Sequence, residues 1–174
     1  MGKIERPSLE SLVMDFAMSL TRRATCKRFQ VGCVITSEDM TQIYGFGYNG
    51  TAKGLSHDDC KADQPGGCGC VHSEINALIK VRVNDPRKVV FVTAQPCITC
   101  AKAIVNSGVS KVYYRATYRS DDGLEIILKV GVEVERPLAP HLAGEGHIAG
   151  VGLERVRHRI RGGRASLHSE AAHV

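Results

Sequence analysis

A chain of 174 residues, 43% of them hydrophobic, is long enough to bury one core without help from disulfides. No apolar run reaches the roughly 18 residues that a membrane-spanning helix needs, so a membrane protein of that type is excluded. The net charge of +5 is concentrated late in the chain: Arg155, Arg157, Arg159, Arg161 and Arg164 face Glu154 alone, and Glu170 removes one unit further on. Residues 1–153 therefore carry only about +2, too little to make nucleic acid an expected partner of the body.

The first element is a helix from Ser8 to Ala24, with Leu9, Leu12, Val13, Phe16, Ala17 and Leu20 on one apolar stripe and Ser8 as its N-cap. Val31–Ile35 has the length and composition of a strand. Ser37–Asp39 makes a turn, and Gln42–Phe46 returns as the second strand of a hairpin. Residues 47–70 form a long loop rich in Gly, Asp and Cys, and structureless loops of that length in a small domain are usually functional. A helix runs from Glu74 to Val83 and is stopped by Asp85-Pro86; Lys88–Thr93 is a buried strand. Cys97–Ser107 is a helix closed by Gly108, Lys111–Tyr114 a strand, Asp122–Val130 a helix closed by Gly131, and Val132–Val134 a last strand. The order α-β-β-α-β-α-β-α-β implies an α/β fold with a mixed sheet. The pattern dissolves after Pro137, so the expected division is a domain over 1–136 and a basic Gly/His/Arg-rich extension over 137–174.

Two short motifs carry chemistry. His72-Ser73-Glu74 opens one helix, and Pro96-Cys97-Ile98-Thr99-Cys100 opens the next. A Cys-x-x-Cys turn holds two sulfurs within reach of one metal ion, and His72 completes three protein ligands. Three ligands leave a position open for water, which a catalytic zinc requires. Glu74, two residues beyond His72, is placed to move a proton between water and a bound ring. The order His-x-Glu then Pro-Cys-x-x-Cys is the signature of the zinc nucleobase deaminases. Taken alone, the second motif also reads as a redox pair or a structural zinc half-site. The absence of an apolar leader in Met1–Pro7 and the odd count of seven cysteines give the expectation of a reducing, cytoplasmic setting with thiols serving metal or catalysis.

From Thr25 to Val134 the chain resembles the deoxycytidylate (dCMP) deaminases. The resemblance lies in Thr25–Ile35, in Gly47-Tyr48-Asn49-Gly50 with Gly54-Leu55-Ser56-His57, in His72-Ser73-Glu74-Ile75-Asn76-Ala77, and in Ala101-Lys102-Ala103-Ile104. It implies a three-layer α/β/α fold with a mixed five-stranded sheet between helices. It also implies zinc-dependent hydrolysis of dCMP to dUMP and ammonia, supplying dUMP for thymidylate synthesis. Further implications are a homo-oligomer, commonly a hexamer, with dCTP and dTTP as effectors. Asn49 would contact the deoxyribose, Tyr118 would pack near base or sugar, and Arg119 and Arg28 are candidates for the phosphate. Some members carry a second, structural zinc, which here would use Cys26, Cys60, Cys68 and Cys70.

The pattern departs from the family at Ser73 and Ile75, where Ala and Gln are usual, and in the short loop between Asn49 and His72. That leaves dCTP, or both nucleotides, open as the substrate. A tRNA adenosine deaminase shares both motifs, but that family has Met before the second cysteine and Gly soon after, where this chain has Thr99 and Ala101-Lys102. A non-enzymatic zinc module would leave Glu74 without a role. Cys33, on an apolar strand, is expected to be a small core residue. Five histidines lie at 141, 147, 158, 168 and 173, in spacings that match no metal motif.

Overall fold

The structure is a computed structural model, and it describes residues 6–64 and 67–136; the expected extension over 137–174 lies outside the described residues. Its first element, α1 (Leu9–Thr21), starts where expected: the Ser8 Oγ accepts the Ser11 N–H at 3.2 Å. The hairpin follows as β1 (Gly32–Thr36) and β2 (Ile43–Tyr48), paired antiparallel. After the long loop come α2 (Ser73–Leu78), β3 (Lys88–Ala94), α3 (Ile98–Asn106), β4 (Val109–Ala116), α4 (Asp122–Lys129) and β5 (Glu133–Glu135).

The strands form one sheet in the order β2-β1-β3-β4-β5. β1 is antiparallel to both β2 and β3, whereas β3, β4 and β5 run parallel. The mixed character follows from connection length: a tight turn joins β1 to β2, and helices cross between the parallel strands. β1 and β3 are buried on both faces, which is why they read as nearly unbroken apolar runs. Val34, Val89, Phe91 and Tyr113 pack under α1 with Val13, Met14, Ala17 and Leu20. On the opposite face Cys33, Ile35, Val90, Val92 and Val112 meet Ala77, Ala101, Ile104 and Ile127 from α2, α3 and α4. This is the expected three-layer arrangement, and each fully buried Val or Ile in it contributes about 1.5–3 kcal/mol. Cys33 is fully buried in that core, as a small apolar residue would be.

Two helices are shorter than the sequence suggests: α1 ends at Thr21 rather than Ala24, and the larger shortfall is in α2. α2 stops at Leu78 rather than running to Val83. The amides of Lys80 and Val81 bond back to the carbonyls of Ala77 and Leu78, a three-residue spacing that tightens the last turn. The tightened turn brings Val81 against the core, and the chain then leads to Asp85, whose Oδ2 accepts the Tyr44 hydroxyl at 2.9 Å. Gly47 fixes the depth of α2 on the sheet: a Cβ there would fall on the Ser73 carbonyl oxygen. Among its described residues the long loop contains a 3-10 turn, His57–Asp59, and its ends are tied by a bridge between Gly50 and Val71.

Candidate active site

His72 is the N-cap of α2 and Cys97 the N-cap of α3. Both have extended backbone, and neither side chain makes the capping bond to the helix amides. An N-cap is normally Ser, Thr, Asp or Asn, whose oxygen turns back onto the helix amides. Imidazole and thiol at that position instead project from the helix end, free to meet another group. Cys100 lies one turn along α3, on the same side as Cys97. The His72 Nδ1 is 3.5 Å from the Cys97 Sγ and 3.3 Å from the Cys100 Sγ, and all three atoms lie within 4.8 Å of one another. A tetrahedral zinc with ordinary bond lengths sets sulfur and nitrogen ligands about 3.6 Å apart, so this donor set fits the ion. Cys100 is buried, Cys97 half-buried and His72 exposed, so one side of the cluster opens outward.

The electrostatics of the cluster are strongly biased. Its bond with the Cys100 thiol, and then its bond with His72, draws Cys97 down to about 3. Cys100 is pushed up, first by Cys97 and then by burial, with the neighbouring Glu74 carboxylate adding to the effect. His72 is raised by its bond to Cys97. Glu74, in the first turn of α2, is only 5% exposed, and burial raises its carboxyl above the usual range. The Ser73 hydroxyl donates to the Glu74 Oε2 at 2.9 Å and steadies the carboxylate. This is where the sequence departs from the usual Ala, and the serine there bonds directly to the Glu74 carboxylate.

The other expected site residues make contacts of their own. Asn49 is buried, and its amide is engaged with backbone: Oδ1 accepts the Val31 N–H at 2.8 Å and Nδ2 donates to the Phe29 carbonyl at 2.5 Å. One amide hydrogen and one lone pair are left over for a ligand. The Tyr118 N–H donates to the Gln95 Oε1 at 2.9 Å, which ties Tyr118 to the turn just ahead of Pro96-Cys97. The Arg119 guanidinium folds over the Tyr118 ring at 5.0 Å and donates to its hydroxyl at 2.7 Å. Arg28 donates to the Gln64 carbonyl at 3.2 Å.

Two participants were invisible in the sequence. Gln95, 3% exposed, links Tyr118 to the Asp121 Oδ1, to which its Nε2 donates at 2.6 Å. The only hint was a polar residue closing an otherwise apolar strand. Phe29 stacks on Tyr118 with ring centroids 6.5 Å apart, a contact that no local pattern announces.

Cys26, Cys60, Cys68 and Cys70 also come together. Their sulfurs all lie within 4.8 Å of one another, with Cys26–Cys68 at 3.7 Å and Cys26–Cys60 at 3.9 Å. Sulfurs on one tetrahedral zinc stand about 3.8 Å apart, so this set also fits. Gly69, at φ +72°, supplies the left-handed turn between Cys68 and Cys70. The Lys27 N–H donates to the Cys60 Sγ at 3.4 Å. His57, near this loop in sequence, pairs with Thr51 at 3.4 Å and is not one of the four.

A family model for the cytidine and deoxycytidylate deaminase zinc-binding region matches residues 7–116. The chain belongs to that family. It is 32% identical over 149 residues to a deoxycytidylate deaminase of Saccharomyces cerevisiae, covering 78% of this chain and 47% of that protein. It is 29% identical over 150 residues to the deoxycytidylate deaminase of Schizosaccharomyces pombe, covering 78% of this chain and 46% of that one. The chain thus spans about half the length of these two relatives. Among solved structures, the dCMP deaminase of cyanophage S-TIM5, in complex with dCMP and dUMP, superimposes with a TM-score of 0.67 at 32% identity, covering 77% of this chain and 100% of that chain.

Proposed function

We propose that the chain is a zinc-dependent dCMP deaminase, converting dCMP and water to dUMP and ammonia. The observation that carries the proposal is a buried carboxylate, Glu74, set beside three convergent donors, His72 Nδ1, Cys97 Sγ and Cys100 Sγ. In this reading those three atoms hold the zinc. When bound, the ion supplies the Lewis acidity that makes water nucleophilic near neutral pH. Glu74 takes a proton as the water oxygen attacks C4 of the cytosine and delivers it to ring nitrogen N3, where it stays; it then carries the second proton from the new C4 hydroxyl to the departing amine, leaving a C4 carbonyl. The C4–N bond breaks, a C4–O bond remains, and ammonia leaves. A carboxyl raised by burial holds and releases a proton more evenly near neutral pH than an exposed one. Asn49 and Tyr118 line the nucleotide's sugar and base, and Arg119 offers the phosphate a cation.

The substrate class is supported by the yeast relatives' names and by the cyanophage enzyme, solved with both dCMP and dUMP. The four remaining clustered thiols, Cys26, Cys60, Cys68 and Cys70, hold a second, structural zinc. A homo-oligomer is supported by the apolar surface of Leu9 and Leu12 on α1 and of Ile43 and Phe46 on the edge strand β2, all more than 40% exposed. A hexamer responsive to dCTP and dTTP is the family's pattern. No helix among the described residues is long and apolar enough to cross a membrane. Two thiolate centres require a reducing compartment, which makes the cytoplasm the expected location.

The test is ammonia release by zinc-loaded protein given dCMP, dCTP, deoxycytidine and an adenosine-bearing tRNA stem-loop in parallel. Turnover of dCMP above the others supports the proposal. Turnover of dCTP or RNA alone overturns the substrate, and none at all overturns the activity.

A further inference from the structure

We infer that Phe29 positions the nucleobase and that the four-thiol cluster holds Phe29 in place, so that metal at Cys26, Cys60, Cys68 and Cys70 governs substrate affinity rather than the chemical step. The inference rests on the deaminase reading above.

Phe29 is 44% exposed and belongs to neither core cluster. Its ring stacks on Tyr118 at an interplanar angle of 28°. Each member of that pair is tied to a segment of the catalytic centre. Tyr118 is fixed through its N–H to Gln95, two residues before Cys97. Phe29 is fixed through its carbonyl to the Asn49 amide, and the adjoining Gly50 pairs with Val71, the neighbour of His72. An aromatic pair anchored in this way, with one face left exposed, is suited to stack a flat heterocycle presented to the centre.

The segment that carries Phe29 has no secondary structure of its own between α1 and β1. Its order comes from three successive attachments to the loop opposite. Cys26 meets Cys60 and Cys68, Lys27 donates to the Cys60 sulfur and pairs with Asp58 at 2.8 Å, and Arg28 donates to the Gln64 carbonyl. Phe29 is the next residue. The ion pair and the arginine bond are exposed and therefore weak. The buried sulfurs are the firm attachment only when a cation joins them, because thiols alone are poor hydrogen-bond partners. A structural zinc in that position contributes folding energy directly. Losing it loosens residues 26–28 from the loop and leaves Phe29 held by its Asn49 bond and the Tyr118 stack alone. No residue of that segment belongs to the group that handles the proton, so the loss falls on KM and not on kcat.

The chain contains no tryptophan, so Phe29→Trp installs a single indole at the proposed contact. Zinc content, indole emission with acrylamide quenching, and kcat and KM for dCMP are measured in the Phe29→Trp background with and without Cys68→Ser. Cys70→Ser replaces Cys68→Ser if that variant does not fold. Phe29→Ala and Phe29→Tyr are measured alongside. The expected result is two zinc ions per chain falling to about one in the Cys68→Ser protein, with emission shifted to longer wavelength, quenching increased, and KM raised roughly tenfold at a kcat within about twofold. Phe29→Ala raises KM to a similar degree, and Phe29→Tyr restores it. Unchanged KM in Phe29→Ala overturns the positioning role. Loss of one zinc with emission and KM unchanged overturns the coupling. One zinc per chain in the parent overturns the four-thiol metal site and the coupling with it. Failure of the deaminase reading looks different: emission still responds to the loss of zinc, but no ammonia is released from dCMP.

Discussion

Gly123, in the first turn of α4, lies so close to Pro96 that a Cβ built on it would stand well inside contact distance of the Pro96 carbonyl oxygen. Pro96 immediately precedes Cys97, so α4 presses directly on the turn that presents the Cys97 and Cys100 sulfurs proposed to hold the zinc. Gly123→Ala should force that turn outward. Overpacking of this kind costs about 1–3 kcal/mol. The expected outcome is a lower thermal midpoint together with faster loss of zinc to a chromophoric chelator. A variant that loses stability but keeps its zinc as tightly as the parent would show that the turn does not transmit the strain.

Cys100→Ser removes a buried sulfur from the His72, Cys97 and Cys100 set. A serine hydroxyl is a poor zinc ligand at neutral pH. Because even the groups that merely orient a metal's ligands are worth about 10–100-fold in affinity, loss of a ligand should weaken binding by more than about a hundredfold. Zinc analysis of the dialysed protein should fall by one ion per chain, with activity lost and the four-thiol site still filled. Retention of both ions would place the metal elsewhere.

Asp85 gives the fold a pH dependence that can be followed apart from the metal. The Arg87 backbone N–H, and after it the Tyr44 hydroxyl, hold its carboxyl below the ordinary Asp value of 3.8. A carboxylate depressed in the folded state contributes stability that is fully present above the unfolded pKa and is lost as pH falls through the folded one. Asp85→Asn should therefore be less stable than the parent near neutral pH, and the difference should shrink as pH drops below about 4. Urea midpoints across that range check it; a constant difference at all pH values would show that the carboxylate's charge contributes nothing.

Much of this could be read from the sequence, for a physical reason. His72, Glu74, Cys97 and Cys100 sit in two short motifs at the starts of α2 and α3, so each motif is legible locally, while their meeting depends on how the two helices pack on the sheet. The strand and helix order followed from periodicity, and the antiparallel opening followed from the length of its turn. The details that escaped depend on contacts between distant segments. α2 ends early because Val81 is drawn into a core built by other elements. Phe29 meets Tyr118 across most of the domain's sequence, and Gln95 binds a residue far beyond its own strand. Asn49 stood out in the Gly-Tyr-Asn-Gly stretch, but the backbone bonds that engage its amide did not.

The measurement that bears most directly on the proposed chemistry is Glu74→Gln, assayed for ammonia release from dCMP with zinc content determined on the same sample. Glutamine keeps the size and the hydrogen-bonding capacity beside Ser73 but cannot carry the proton. The expected result is full zinc occupancy at His72, Cys97 and Cys100 with kcat reduced by about 10²–10⁴-fold, the usual worth of a general acid–base group. Activity within a few-fold of the parent, or a loss of activity that merely follows a loss of zinc, would contradict the assignment of proton transfer to Glu74.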